Sequence, residues 1–224
     1  MICPTVETIE AMPGKSKPQT RNKERTRLLI LAAATEEFAE KGFAGARIER
    51  IAELSGSNKR MLYYYYRNKE DLFVAVMENA YKTIRDAESE LHLLDFHPVE
   101  AIRSLISFTW DYYIHHPEFL RLLNTENLYH AEHIKQSKNI GFYNSKLIDT
   151  LNEILIRGQN EKLFRGGVDP LQLYISIAGL SYFYLSNNDT LSAVFCRDLS
   201  TPKAKVERLQ HMTDIVLGYL MLAG

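Results

Sequence analysis

The sequence predicts an all-α protein, and three observations carry that prediction. Apolar residues recur at three- and four-residue spacing in one segment after another. Gly42, Pro98, Pro117, Pro170 and Pro202 fall at the boundaries of those segments, where helices stop and start. No stretch shows a convincing strand pattern, and there is no repeat or low-complexity tract. With 224 residues, 46% of them hydrophobic, the chain has enough material for a core and for one to two domains.

Met1–Asn22 is rich in Pro, Thr, Lys and Glu and poor in large apolar residues. It is expected to be a disordered arm whose basic end reaches toward an adjacent minor groove. Lys23–Lys41 reads as the first helix, with Leu28, Ile30, Leu31, Ala34 and Phe38 as its stripe and Gly42 as its stop. Arg47–Leu54 is a short helix whose Ile48, Ile51, Ala52 and Leu54 share helical spacing. Ser55-Gly56-Ser57 turns the chain, and Asn58 can cap a further short helix, Lys59–Tyr65.

That helix is basic and ends in four consecutive tyrosines, Tyr63 to Tyr66, with no acid between Ser57 and Lys69. Successive helical positions lie about 100° apart, so one face cannot bury all four. Leu62 and Tyr66, four apart, suit the core, leaving other hydroxyls outward for phosphate oxygens. Two short helices at an angle, the second basic and rich in hydroxyls, form the layout of a DNA-reading helix-turn-helix.

The body follows as further helices. Lys69 to about Leu91 is long, with Glu70 and Asp71 at its positive end. Val99–His116 is apolar around much of its circumference, and Glu118 to about Asn127 comes after Pro117. A single segment is expected from about Ala131 to Lys162, kinked at Gly141. Asp169-Pro170 opens a strongly apolar helix, Leu171–Leu185. Leu191–Phe195 adds a turn or two, and Pro202 opens the last helix, ending near Leu222. The apolar faces of these C-terminal helices are candidates for a two-fold interface.

Net charge is −1, so whole-chain composition gives no hint of nucleic acid, whereas Lys15, Lys17, Arg21, Lys23, Arg25 and Arg27 concentrate positive charge before the first helix. Cys3 and Cys196 form neither a disulfide framework nor a metal spacing. No apolar run approaches membrane-helix length and the N-terminus lacks a signal peptide's core, so a cytoplasmic, membrane-free protein is expected.

The stretch AAATEEFAEKGFAGARIERIAELSGSNKRMLYYYYRNKEDL resembles the DNA-binding domain of the tetracycline-repressor (TetR) family. The likeness runs from about Arg25 through Leu72. It rests on Phe38 to Phe43, Ile51-Ala52, Leu62 to Tyr66, and Lys69 to Leu72. It departs at Ala46, where the family often has a capping threonine or serine, and at Tyr65, where a histidine is usual. The resemblance implies a head over 23–70, an effector-binding and dimerisation body over 71–224, and a long fourth helix as the lever between them. It implies a homodimeric repressor on a palindromic operator, released by a small-molecule effector and needing no cofactor. The alternatives are a ligand-independent architectural DNA binder and a helical enzyme.

For DNA, the candidates are Arg47, Ser57, Asn58, Lys59, Arg60, Met61, Tyr63, Tyr64, Tyr65 and Lys69. Lys59, the tyrosines and Lys69 are expected on phosphates, and Asn58, Arg60 and Met61 near base edges. For the effector, Trp110, Tyr113, Phe142, Tyr143, Tyr174 and Tyr182 could line a cavity with polar handles. Glu126, His130 and His133, four and three apart, are the one weak metal-ligand set, and no metal is expected. There is no phosphate-cradling glycine loop and no nucleophile elbow.

Overall fold

A computed structural model describes residues 18–222, with side chains from Lys23 onward. The part of the expected arm before Pro18 lies outside the described residues. Ten α-helices follow one another: α1 Pro18–Gly45, α2 Ile48–Leu54, α3 Lys59–Tyr65, α4 Lys69–Ser89, α5 Pro98–His115, α6 Pro117–Leu128, α7 Ile140–Asn160, α8 Pro170–Ser186, α9 Asn188–Val194 and α10 Pro202–Leu220. The first helix thus begins five residues before the expected Lys23. It is interrupted where expected, since Gly42 takes φ 67°, a left-handed angle that a side chain would strain. Among the described residues the only β pairing is one isolated bridge, Phe164 to Met221.

One expected element was wrong. The segment from Ala131 to Lys162 is not a kinked helix. His130 and Ala131 adopt φ 53° and 61°, and only a 3-10 turn, Ile134–Gln136, precedes α7. Gly141 lies in the first turn of α7 and kinks nothing. A second 3-10 turn, Leu93–Asp95, joins α4 to α5 and was not foreseen.

The head is α1 packed against α2 and α4, with α3 leaning on α2. Its core gathers Ile30, Phe38, Ile51, Leu62, Phe73 and Met77, all at most 1% exposed. Leu122 from α6 and Ile140 at the start of α7 enter the same core, so the head is welded to the body rather than tethered to it. α5 is the axis of the body, packed against α7, α8 and α10. Its Ile102, Leu105, Ile106 and Trp110 meet Leu151, Ile154, Ile177 and Met212 there. Burying a side chain of this size contributes about 1.5–3 kcal/mol each.

Candidate DNA interface and effector pocket

Helix α3 is held by few anchors. Asn58 caps it, its Oδ1 accepting from the Met61 N–H at 3.0 Å. Leu62 and Tyr66 are buried and fix its rotation, as their four-residue spacing required. The rest of its surface is free. Asn58, Lys59, Arg60, Tyr63 and Tyr64 are exposed, and Ser57, Met61 and Tyr65 half-exposed. Tyr64 stands 65% exposed, and Lys23 of α1 lies 6.0 Å from its ring centre. Tyr65 instead donates to the Lys23 carbonyl at 3.1 Å, stapling α3 to α1. Lys59 pairs with Glu49 of α2, an exposed contact that holds its ammonium above the usual lysine range. Burial raises the Tyr66 phenol against the pull of Arg27 beside it.

The start of α2 shows how the missing cap is replaced. The N-cap position is Arg47, and no side chain caps the helix. Buried Glu37 of α1 instead accepts from the Arg47 N–H at 3.0 Å. The Arg47 side chain is left exposed beside α3.

Lys69 departs from its expected place. Its ammonium donates to the carbonyls of Ala46 at 2.6 Å and Ala44 at 3.4 Å, and lies 5.1 Å from the Phe43 ring centre. Burial lowers its pKa, against the raising effect of Glu70 and Glu37. The residue ties the start of α4 to the α1–α2 junction. The sequence could not reveal this, because those carbonyls are 23 and 25 residues away.

The metal candidate dissolves in the structure. α6 ends at Leu128, so Glu126, His130 and His133 do not share a helical face. His130 is exposed in the turn. Buried Glu126 accepts from the N–H groups of His133 at 2.9 Å and Ile134 at 2.8 Å, and its other oxygen meets His133 Nδ1 at 2.8 Å. The His133 ring packs against Phe43 at 4.4 Å and Phe73 at 4.8 Å. The pair is a latch between the α6–α7 connection and the head. No cluster of three metal-ligating side chains occurs among the described residues.

The six aromatic candidates for the effector do not share one cavity. Trp110 is packed into the body core against Tyr184. Tyr182 donates to Asn124, and Tyr113 is buried flat against Phe119. Phe142 and Tyr143 do line a cavity of about 460 Å³ between α4, the Leu93–Asp95 turn and α7. Tyr174 reaches it through Arg85, whose Nη2 donates to the Tyr174 hydroxyl at 2.9 Å.

Arg85 and Glu88 form the inner wall of this cavity, and neither was singled out from the sequence. Their side chains are 8% and 7% exposed, with Nη1 2.8 Å from Glu88 Oε2. Burial pushes the Glu88 carboxyl up to about 7, against the opposing pull of Arg85. Both lie on the core-facing stripe that runs through Met77 and Ile84. Two charges on the buried stripe of an amphipathic helix were the available signal. Arg157 of α7 closes one side by donating to the carbonyls of Leu94 at 2.6 Å and Phe96 at 2.8 Å.

A short basic helix standing clear of a three-helix head, on a helical body with its own cavity, defines a regulator of the helix-turn-helix class. Comparison with known proteins agrees. The profile of the tetR family of bacterial regulatory proteins matches residues 30–76, and that of the tetracyclin repressor-like C-terminal domain matches residues 98–216. The transcriptional repressor NicS of Pseudomonas putida is 40% identical over 91% of this chain and 96% of its own. The chain belongs to the TetR family of transcriptional regulators. Its fold matches FadR of Bacillus subtilis, solved with stearoyl-CoA, at TM-score 0.64 and 16% identity, covering 86% of this chain and 98% of that one. It also matches AibR, solved with isovaleryl coenzyme A and operator DNA, at TM-score 0.62 and 19% identity over 85% and 97%. Among the described residues no helix is long and apolar enough to cross a membrane.

Proposed function

We propose that the protein is a homodimeric repressor that places α3 of each subunit in a major groove of a palindromic operator and leaves when a small molecule binds the body. The observation that carries the reading is the outward face of α3, anchored only through Leu62 and Tyr66. Arg60 presents a planar, bidentate donor toward base edges, while Lys59, Tyr63 and Tyr64 suit phosphates. Asn58 spends its side-chain oxygen on the cap, so only its amide nitrogen remains for a base. The names of NicS, FadR and AibR support repression and small-molecule control in the family.

The long α4 supports a route for control. It begins at the end of the head and carries Arg85 and Glu88 at the cavity wall. A ligand that favours one tilt of α4 would change the spacing of two recognition helices, provided that it binds one spacing more tightly. A helical enzyme would need Glu126, His130 and Trp110 together. Glu126 is committed to His133, Trp110 is buried in the core, and His130 faces solvent.

The test is selection of bound sequences from random duplex DNA, followed by affinity against salt. A two-fold symmetric site with a steep salt dependence is expected. Arg60→Ala should relax preference at one position by roughly 1–3 kcal/mol. Equal weakening on every sequence would remove Arg60 from base readout, and recovery of no preferred sequence would overturn the operator reading.

A further inference from the structure

The cavity beside α4 contains an arginine with more donors than partners. A guanidinium has five N–H groups. In Arg85, Nη2 serves Tyr174, and Nη1 meets Glu88 at ion-pair distance but without hydrogen-bond alignment. Nε has no hydrogen-bond partner, and both Nε and Nη1 are shielded from solvent. Leaving buried donors unmade is costly, and in a native protein it points to an occupant that supplies the acceptors.

We propose that this cavity takes a small organic carboxylate, its acid group on Arg85 and its apolar body between Leu93, Leu147 and Phe142. The volume, about 460 Å³, falls within the range of small-molecule sites. Arginine recognises a carboxylate through parallel charge-assisted N–H bonds, and exclusion of water strengthens them. The cations near the mouth are less committed than the acids. Lys146 lies over the Phe142 ring at 5.0 Å, whereas Asp86 is already paired with Lys82. Asp95 stands exposed at the rim, away from the inner wall formed by Arg85. Nothing here favours a metal ion, since no three ligating side chains converge among the described residues. The proposal rests on the reading of the protein as a ligand-responsive regulator and adds the chemistry of its ligand.

The experiment uses the full chain and paired probes. Acetate, butyrate, hexanoate, benzoate and phenylacetate are each set beside the matching primary amide, and hexanoyl coenzyme A is included. Binding is followed by thermal shift and titration calorimetry. At least one free acid is expected to bind, with its amide at least tenfold weaker. Arg85→Lys should lose the acid. Because that buried change also threatens folding, Lys146→Glu on the exposed rim is the second variant, expected to weaken the acid at least tenfold and leave the amide unchanged. Acid and amide binding alike, binding of the thioester alone, no binding of any probe, or an indifferent Lys146→Glu would each overturn the carboxylate assignment. Operator binding is measured on the same protein. Its presence without acid binding removes this inference and leaves the regulator standing; its absence removes the regulator.

Discussion

Glu88 occupies a site where a carboxylate is held at odds with its surroundings. It is buried, its neighbour Arg85 is shared with Tyr174, and the loss of water outweighs the ion pair, so its pKa rises from 4.5 to about 7. The folded protein therefore holds that proton more tightly than the unfolded chain. The resulting stability is fully present below the ordinary carboxylate value and is lost as pH rises through about 7. Raising the pH from about 5.5 to 8 should lower unfolding stability by roughly 2 kcal/mol through this group. Denaturant unfolding of Glu88→Gln should show that slope flattened. The other titratable or charged groups of the surrounding elements are Tyr81 and Arg85 on α4, Tyr113 on α5, Tyr174 on α8, His92 and Asp95 at the turn, and Tyr143 and Lys146 on α7. His92→Gln separates the histidine of the same wall. A slope kept by Glu88→Gln and lost by His92→Gln would assign the effect to the histidine.

At the scale of elements, the connections between helices explain what the sequence could and could not say. The bounds of α3, Lys59–Tyr65, were readable because a cap, a basic run and a tyrosine surplus coincide within a few residues. So was the division of its tyrosines, with Tyr66 buried and Tyr63 and Tyr64 outside. The α6–α7 connection was not readable, because two non-glycine residues at positive φ break a pattern that looks helical on paper. Nor was the pocket, whose wall is set by the packing of α4 on α7 rather than by any local motif. Lys69 belongs with these long-range effects. Its ammonium holds the end of α1 to the start of α4, and a hydrogen bond to a charged group contributes about 1.5–3 kcal/mol. Lys69→Ala should lower the stability of the protein by about that order. The salt slope of operator binding should stay nearly as it was. A slope flattened by about one unit with stability unchanged would return Lys69 to the phosphates.

At the scale of the whole molecule, one apolar surface remains without a partner in the monomer. Leu171, Ile175 and Phe183 are 47%, 51% and 57% exposed, and with Gly179 they form a single stripe of four-residue spacing along α8. Ile215 and Tyr219 of α10 are also large and exposed, and Arg208 of α10 donates to the Leu180 carbonyl at 2.8 Å, holding the two helices together. Contiguous apolar exposure on this scale marks an interaction surface. A second copy of the same two helices would cover it around a two-fold axis, which a palindromic operator also requires. Phe183→Glu places a charge at the centre of that stripe without touching the monomer core. Light scattering should show a fall from dimer to monomer, with the helical circular dichroism signal retained. Operator affinity should drop by about 10²–10⁴, the loss expected when two linked heads become two separate ones. A Phe183→Glu protein that stays dimeric and binds its operator as before would place the two-fold axis on some other face and separate the pairing of heads from α8.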